Sequence, residues 1–293
     1  MSVSENFSTF CNNLKMSKET IGKIQSRYKR ITKRINLEYR NLDSENSYSL
    51  YVGSYGRGTE IWTSDIDLIV QLPYKMYEKY SNYNGNGQSA LLQDVKKALQ
   101  KTYPTSHVKG DGQVIGIRFD DGISFEIVPA FINTDGKSYT YPNTNNGGSW
   151  HPTNPRDEMQ AMKNRNVVTN KNLKRLCAMA RAWKGNCNVP ISGILIDTLA
   201  YKFINDYSYK DKSFLYYDYL SRDFFKYLKD IDKEIEYWLA PGSARRVFKS
   251  GNFQYKAASA YRLSLEAIEY QEKKYWYSAS GKWRDIFGTR YPE

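Results

Sequence analysis

The sequence predicts an α/β protein in two parts: a sheet-bearing amino-terminal lobe over 1–156, led by a long helix, and a helical lobe over 157–293. Three observations predict it. After Ser17, a good helix cap, Ile21, Ile24, Tyr28, Ile31 and Ile35 recur at alternating spacings of three and four, the single apolar stripe of a helix running towards Arg40. Between about 48 and 132, short apolar runs alternate with turn residues, as strands do. Beyond 157 the apolar period becomes helical, beginning with Leu173, Leu176, Cys177 and Ala180.

The elements follow in order. Residues 82–88 form a polar, Gly-rich loop, and Leu91 to Leu99 a short helix behind it. Gln113 to Phe119 reads as a strand, Asp121-Gly122 as a turn, and Ile123 to Val128 as the returning strand. Clustered Asn, Gly, Pro and Thr mark 133–155 as an extended connection at the mouth of the site. Further helices are predicted over Ile194 to Asn205, Phe214 to Leu239 with a break near Ser221, and Ala257 to Tyr275. A ligand cleft is expected where the lobes join.

Composition narrows the function. The 293 residues can bury one large core or two ordinary ones, and 15% aromatic content with 26 Tyr argues against disorder. No apolar run approaches the roughly 20 residues of a membrane span, and the first residues lack the order of a secretory signal, so a soluble cytoplasmic protein is expected. Three cysteines without a Cys-x2-Cys pair exclude a disulfide framework and a zinc ribbon. Two histidines are too few for a His-metal cluster or a Ser-His-Asp hydrolase. A formal charge of +12, with bursts over 15–40 and 163–184, favours acidic ligands.

The chemistry concentrates between Gly53 and Asp67, in the run Gly-Ser-Tyr-Gly-Arg-Gly-Thr-Glu-Ile-Trp-Thr-Ser-Asp-Ile-Asp. The Gly53-Ser54 step lets backbone amides approach a triphosphate without Cβ interference. Asp65 and Asp67 stand two apart at the head of Leu68-Ile69-Val70, so in a strand they share one side while Ile66 and Leu68 face a core. Adjacent carboxylates repel unless a hard cation sits between them, and Mg²⁺ prefers such oxygens together with substrate phosphates. A third acid is expected for two-metal displacement. Glu126, the lone charge within Ile-Ser-Phe-Glu-Ile-Val-Pro, falls on the face opposite Phe125 and Ile127 and is that candidate, with Asp120 and Asp121 next.

This pattern, with the third acid just before Ile-Val-Pro-Ala-Phe, resembles the DNA polymerase β-like nucleotidyltransferases. More narrowly it resembles the bacterial cyclic-oligonucleotide synthases related to cyclic-GMP-AMP synthase. Gly147-Gly148-Ser149-Trp150, Thr153-Asn154-Pro155-Arg156, Pro190-Ile191-Ser192-Gly193 and the closing Trp283-Arg284-Asp285-Ile286-Phe287-Gly288-Thr289-Arg290-Tyr291-Pro292 carry the narrower likeness. Glu126 departs from the family's frequent Asp at that position.

The resemblance implies a polymerase β-like lobe with a mixed sheet, packed on a helical lobe and braced by the long helix. It implies two Mg²⁺ ions, or Mn²⁺, on Asp65, Asp67 and Glu126. It further implies triphosphate contacts from Gly53, Ser54, Arg181 and Ser192, with Lys174 as a further candidate. The implied activity joins ATP, GTP or other NTPs into a cyclic second messenger of anti-phage defence, releasing pyrophosphate, with the product sensed by an effector. The expected protein is a monomer that needs neither nucleic acid nor membrane. Other readings are an oligoadenylate-forming, tRNA-tailing or antibiotic-modifying transferase, and a non-enzymatic nucleic-acid-binding protein, which would leave the acids unexplained.

Overall fold

Apolar residues close into separate cores in the computed structural model, which describes residues 2–62 and 65–293. Thr63 and Ser64 of the acidic motif lie outside the described residues. The chain divides into a sheet unit, Met16–Arg57 with Thr63–Arg156, and a helical unit. The helical unit gathers Met1–Lys15, with its helix α1 (Val3–Asn13), Gly58–Trp62 and Asp157–Glu293. The first fifteen residues and 58–62 thus fall outside the lobe assigned to them by sequence. The cause is aromatic packing: Phe7 meets Trp283 and Tyr291 edge-on at 5.2 and 5.3 Å, and Phe10 lies 4.8 Å from Phe287.

The sheet unit opens with α2 (Lys18–Arg40), where the Ser17 hydroxyl accepts from the Thr20 amide at 3.0 Å. The strands are β1 (Ser49–Tyr51), β2 (Ile66–Gln71), β3 (His107–Asp111), β4 (Val114–Arg118), β5 (Ser124–Ile132), β6 (Tyr139–Asn143) and β7 (Ser149–Thr153). They form one mixed sheet in the order β1-β2-β5-β4-β3, with β6 on β5 and β7 on β6. Only β2 and β5 run parallel; the other pairs are antiparallel.

Side-chain alternation gives the sheet two unlike faces. Ile66, Leu68, Val70, Phe125 and Ile127 meet Ile24, Ile31 and Ile35 of α2, and Leu91, Val95 and Leu99 of α5 (Gly87–Gln100), in one large core. The opposite face carries a small strip of Val52, Ile69, Ala130 and Tyr139. Asp67 and Glu126 project on that thinly covered side.

The segment 133–155 is a β-hairpin rather than a bare connection. Its Pro142 and the Asn145–Gly148 turn obscure the alternation that sequence reading relies on. A short helix α3 (Gly53–Arg57) follows β1, and α4 (Tyr74–Ser81) begins at Pro73 without a periodic apolar stripe to announce it.

In the helical unit, α6 (Pro155–Val168), α7 (Asn172–Cys187), α8 (Gly193–Asp206), α9 (Tyr217–Asp230), α10 (Gln254–Glu272) and α11 (Trp276–Phe287) surround Trp183 and Trp283. Helix α9 runs unbroken through Ser221, which is buried against the core. The predicted continuation to Leu239 is instead a strand: β8 (Tyr237–Leu239) pairs with β9 (Arg246–Phe248), because Trp238 and Val247 bury while their neighbours stay exposed. Among the described residues, no helix is long and apolar enough to cross a membrane.

Candidate active site

Strand pairing builds the acidic centre. In the parallel ladder of β2 and β5, Asp67 lies directly opposite Glu126, so residues distant in sequence become lateral neighbours on one face. Asp65 precedes β2 and is exposed, and its charge acts on both. Burial, then the Glu126 carboxylate, push the Asp67 carboxyl up to about 6, while Arg57 pulls against them. Burial and Asp65 also raise Glu126, and its hydrogen bond with Asp67 opposes them.

Gly53 completes the corner. Its φ of +60° lies in the left-handed region, and a Cβ there would overlap the Asp67 carboxylate. The Val52 amide donates to the Asp67 carbonyl at 2.9 Å, fixing this backbone against β2. Ser54 stands next in α3, half-buried. Arg57, at the end of α3, is buried, and only its position in Gly-Arg-Gly could have marked it in the sequence.

The donor set suits a hard divalent cation: three carboxylates, no thiolate and no imidazole. Among the described residues no group of three or more His, Cys, Asp or Glu is placed to hold a metal ion by itself. Such a partial set fits ions that finish their coordination on substrate phosphates. Asp121 is bound elsewhere, accepting from Arg27 through both oxygens at 2.9 and 2.8 Å, and Asp120 is exposed.

The same sheet face continues past the acids. Val128, Ile132 and Tyr141 pack on the Ile69–Tyr139 strip. Tyr141 is paired with His151, and Asn143 with Ser149. The Tyr141 and His151 rings lie 5.9 Å apart, and Ser149 Oγ is 2.8 Å from His151 Nε2. This half-exposed aromatic and amide ledge was missed in the sequence because the hairpin was.

In the helical unit, Arg181 does not present its guanidinium to solvent. It donates to both Asp197 oxygens at 2.6 and 2.9 Å, and to the Gly193 and Cys177 carbonyls at 3.1 and 3.3 Å, with 6% of its surface exposed. Thr59 Oγ1 donates to the same Asp197 at 2.9 Å. Ser192 caps α8, its hydroxyl accepting from the Leu195 amide at 3.3 Å. Lys174 is half-buried, its ammonium near the α-carbon of Gly58, where a Cβ would come within 2.7 Å of Nζ.

Comparison with known proteins places this geometry. Residues 1–166 match the model of the SMODS family, the Second Messenger Oligonucleotide or Dinucleotide Synthetase domain. No curated protein matches the chain. Among solved structures, CdnC of E. coli MS115-1, solved in complex with HORMA-deltaN, is similar over 99% of this chain and 98% of its own, at 15% identity and a TM-score of 0.68. The Bradyrhizobium diazoefficiens CD-NTase CdnG, solved with GTP, is similar over 97% and 94%, at 12% identity and a TM-score of 0.69. The Vibrio cholerae cyclic AMP-GMP synthase DncV, solved with nonhydrolyzable GTP, is similar over 84% and 69%, at 15% identity and 0.63. The fold is therefore that of the polymerase β-like, cyclic-GMP-AMP synthase-like nucleotidyltransferases, and the chain belongs to the family of second messenger oligonucleotide or dinucleotide synthetase domains.

Proposed function

We propose that the protein is a divalent-metal-dependent nucleotidyltransferase that joins NTPs into a cyclic di- or oligonucleotide messenger of bacterial anti-phage defence, releasing pyrophosphate. The observation that carries this reading is the lateral pairing of Asp67 with Glu126 beside Asp65, closed by a glycine that admits no side chain. Two Mg²⁺ ions, or Mn²⁺, on Asp65, Asp67 and Glu126 would lower the pKa of an attacking ribose hydroxyl and neutralise the departing triphosphate.

The chain's own residues bind and orient. The amides and hydroxyl of Gly53 and Ser54 hold β- and γ-phosphates. Tyr141 and His151 offer ring faces to a nucleobase, while Asn143 and Ser149 offer hydrogen bonds to its edge. Ser192 accepts from an amide, so its own O–H proton stays available to a phosphate. For Arg181 the geometry supports a supporting role, holding Asp197, and Lys174 takes the direct phosphate contact. The product acts in the cytoplasm on a separate effector, and the enzyme works as a monomer without nucleic acid.

Purified protein incubated with each NTP mixture and Mg²⁺ should yield cyclic products and pyrophosphate, identified by mass spectrometry. Linear tails alone, or transfer only to an added acceptor, would replace this reading by another transferase of the fold. Stimulation of about tenfold or more by duplex DNA or RNA would overturn the independence from nucleic acid.

A further inference from the structure

The helical unit holds a second set of charges beside the motif segment Gly58–Trp62, and only part of it is neutralised. Asp197 is fully buried and saturated, accepting from Arg181 through both oxygens and from Thr59. That leaves Glu60 and Lys174. Glu60 is half-buried, and its Oε2 has no hydrogen-bond partner. Lys174 has no carboxylate within ion-pair distance among the described residues. Yet the strongest charge acting on Lys174 is that of Glu60, and Lys174 is in turn the strongest favourable charge on Glu60. The backbone between them is fixed. Thr59 is tied to Asp197, and Gly58, at φ +67°, leaves the Lys174 ammonium the space that a Cβ would take.

We infer that Glu60 is a positioning residue: its carboxylate, with one oxygen unpartnered and two residues on from the Gly58 that the Lys174 ammonium approaches, holds that ammonium beside Gly58, ready to receive a polyphosphate. The inference rests on the proposed nucleotide-binding role of Lys174. Burial drives the Lys174 amine towards its neutral form, and Glu60 is the largest influence opposing this. The other groups facing Lys174 are Cys177 and Asp197, which also favour the charged form, and Lys163, which disfavours it. Asp197 is already engaged by Arg181, and Lys163 carries the same sign as Lys174, so neither can replace Glu60. Glu60 in turn faces Lys174, Arg181 and Asp197; the two cations favour its carboxylate form, while burial and Asp197 oppose it.

The test is nucleotide affinity against pH, measured by calorimetry with a non-hydrolysable ATP analogue on the full chain. In the native protein, affinity should fall at alkaline pH as Lys174 loses its proton, and Lys174→Met should abolish that limb. Glu60→Gln keeps the shape but removes the charge, so the alkaline limb should move down by about one pH unit, and Glu60→Asp should restore most of the shift. A thermal melt of each variant separates loss of fold from loss of charge. An unmoved limb in folded Glu60→Gln, with the Lys174 dependence intact, overturns the inference about Glu60 alone. A native protein that binds no nucleotide, or whose limb survives Lys174→Met, overturns the underlying reading of Lys174 instead.

Discussion

In the helical unit, Asp197 is fully buried and accepts from Arg181 through both oxygens; in the sheet unit, Asp67 also lies largely out of water, but its lateral neighbour is another acid, Glu126. The two carboxylates differ in what the fold gives them. Asp197 joins α7 to α8 and to Thr59, and its charge is consumed by architecture. Asp67 is held in place by backbone pairing while Arg57 only partly offsets its charge, and its raised pKa records the cost. A buried charge that the chain neutralises by itself holds the fold together. One that the chain leaves incompletely neutralised is, on the proposed mechanism, where a cation would bind.

Asp67→Asn should break this contrast most strongly. An amide is a poor ligand for Mg²⁺, so product formation should fall by about a thousandfold or more, on the order of 4 kcal/mol in transition-state stabilisation. Retention of a tenth of native turnover in an NTP assay would remove Asp67 from the mechanism. Arg181→Ala attacks the other region. It leaves Asp197 buried and unpaired, and urea denaturation should show a loss of about 3–5 kcal/mol. A loss below about 1 kcal/mol would mean that the pair does not hold α7 to α8.

The same Asp67→Asn variant should be more stable than the native protein when no metal is added. The folded-state pKa of about 6 lies above the unfolded value of 3.8, so the folded chain holds that proton more tightly. The stability this contributes is full below about pH 4 and lost as pH rises through 6. The neutral amide escapes that loss, gaining about 1–3 kcal/mol at pH 7.5 and nothing at pH 4. Denaturation at both pH values reads the sign. For the same reason, Mg²⁺ titrations at falling pH should show the affinity dropping as the Asp67 carboxyl takes up its proton, and activity at limiting Mg²⁺ should drop with it. The smallest effect sharpens the contrast within the sheet face. Tyr141→Ala should cost about 1 kcal/mol of base stacking, roughly fivefold in acceptor KM, with kcat little changed. An equal loss in both would place Tyr141 nearer the reacting atoms.

The acids and Gly53 were visible in the sequence because the signal is local: two carboxylates of one strand parity, and a lone Glu in an apolar run. Glu126 was expected to join them as a third acid, but the register that sets it beside Asp67 is a long-range fact that only the sheet supplies. Arg181 shows the converse. Its residue type suits phosphate, but its partner Asp197 stands on the following helix, and a one-dimensional pattern cannot say whether an Arg is already engaged. The hairpin of β6 and β7, and with it the Tyr141–His151 ledge, was hidden by Pro and Gly inside short strands. Helix α2 was legible to the residue, because cap and stripe agree.

The parallel pairing of β2 and β5 also makes competence a late event in the life of the chain. A growing polypeptide that has made residue 67 but not residue 126 possesses the Gly53 corner and two of the three acids, and no amount of local folding supplies the third. When β5 does arrive, a slip of one position would turn Glu126 into the large core and Phe125 out of it, which the apolar face forbids. On the proposed mechanism, a chain wired in this way stays silent while it is being synthesised, and also whenever its sheet is misassembled. A break in the chain between the two strands would divide the acids between fragments, and regained activity on mixing would count the correctly mated molecules one by one.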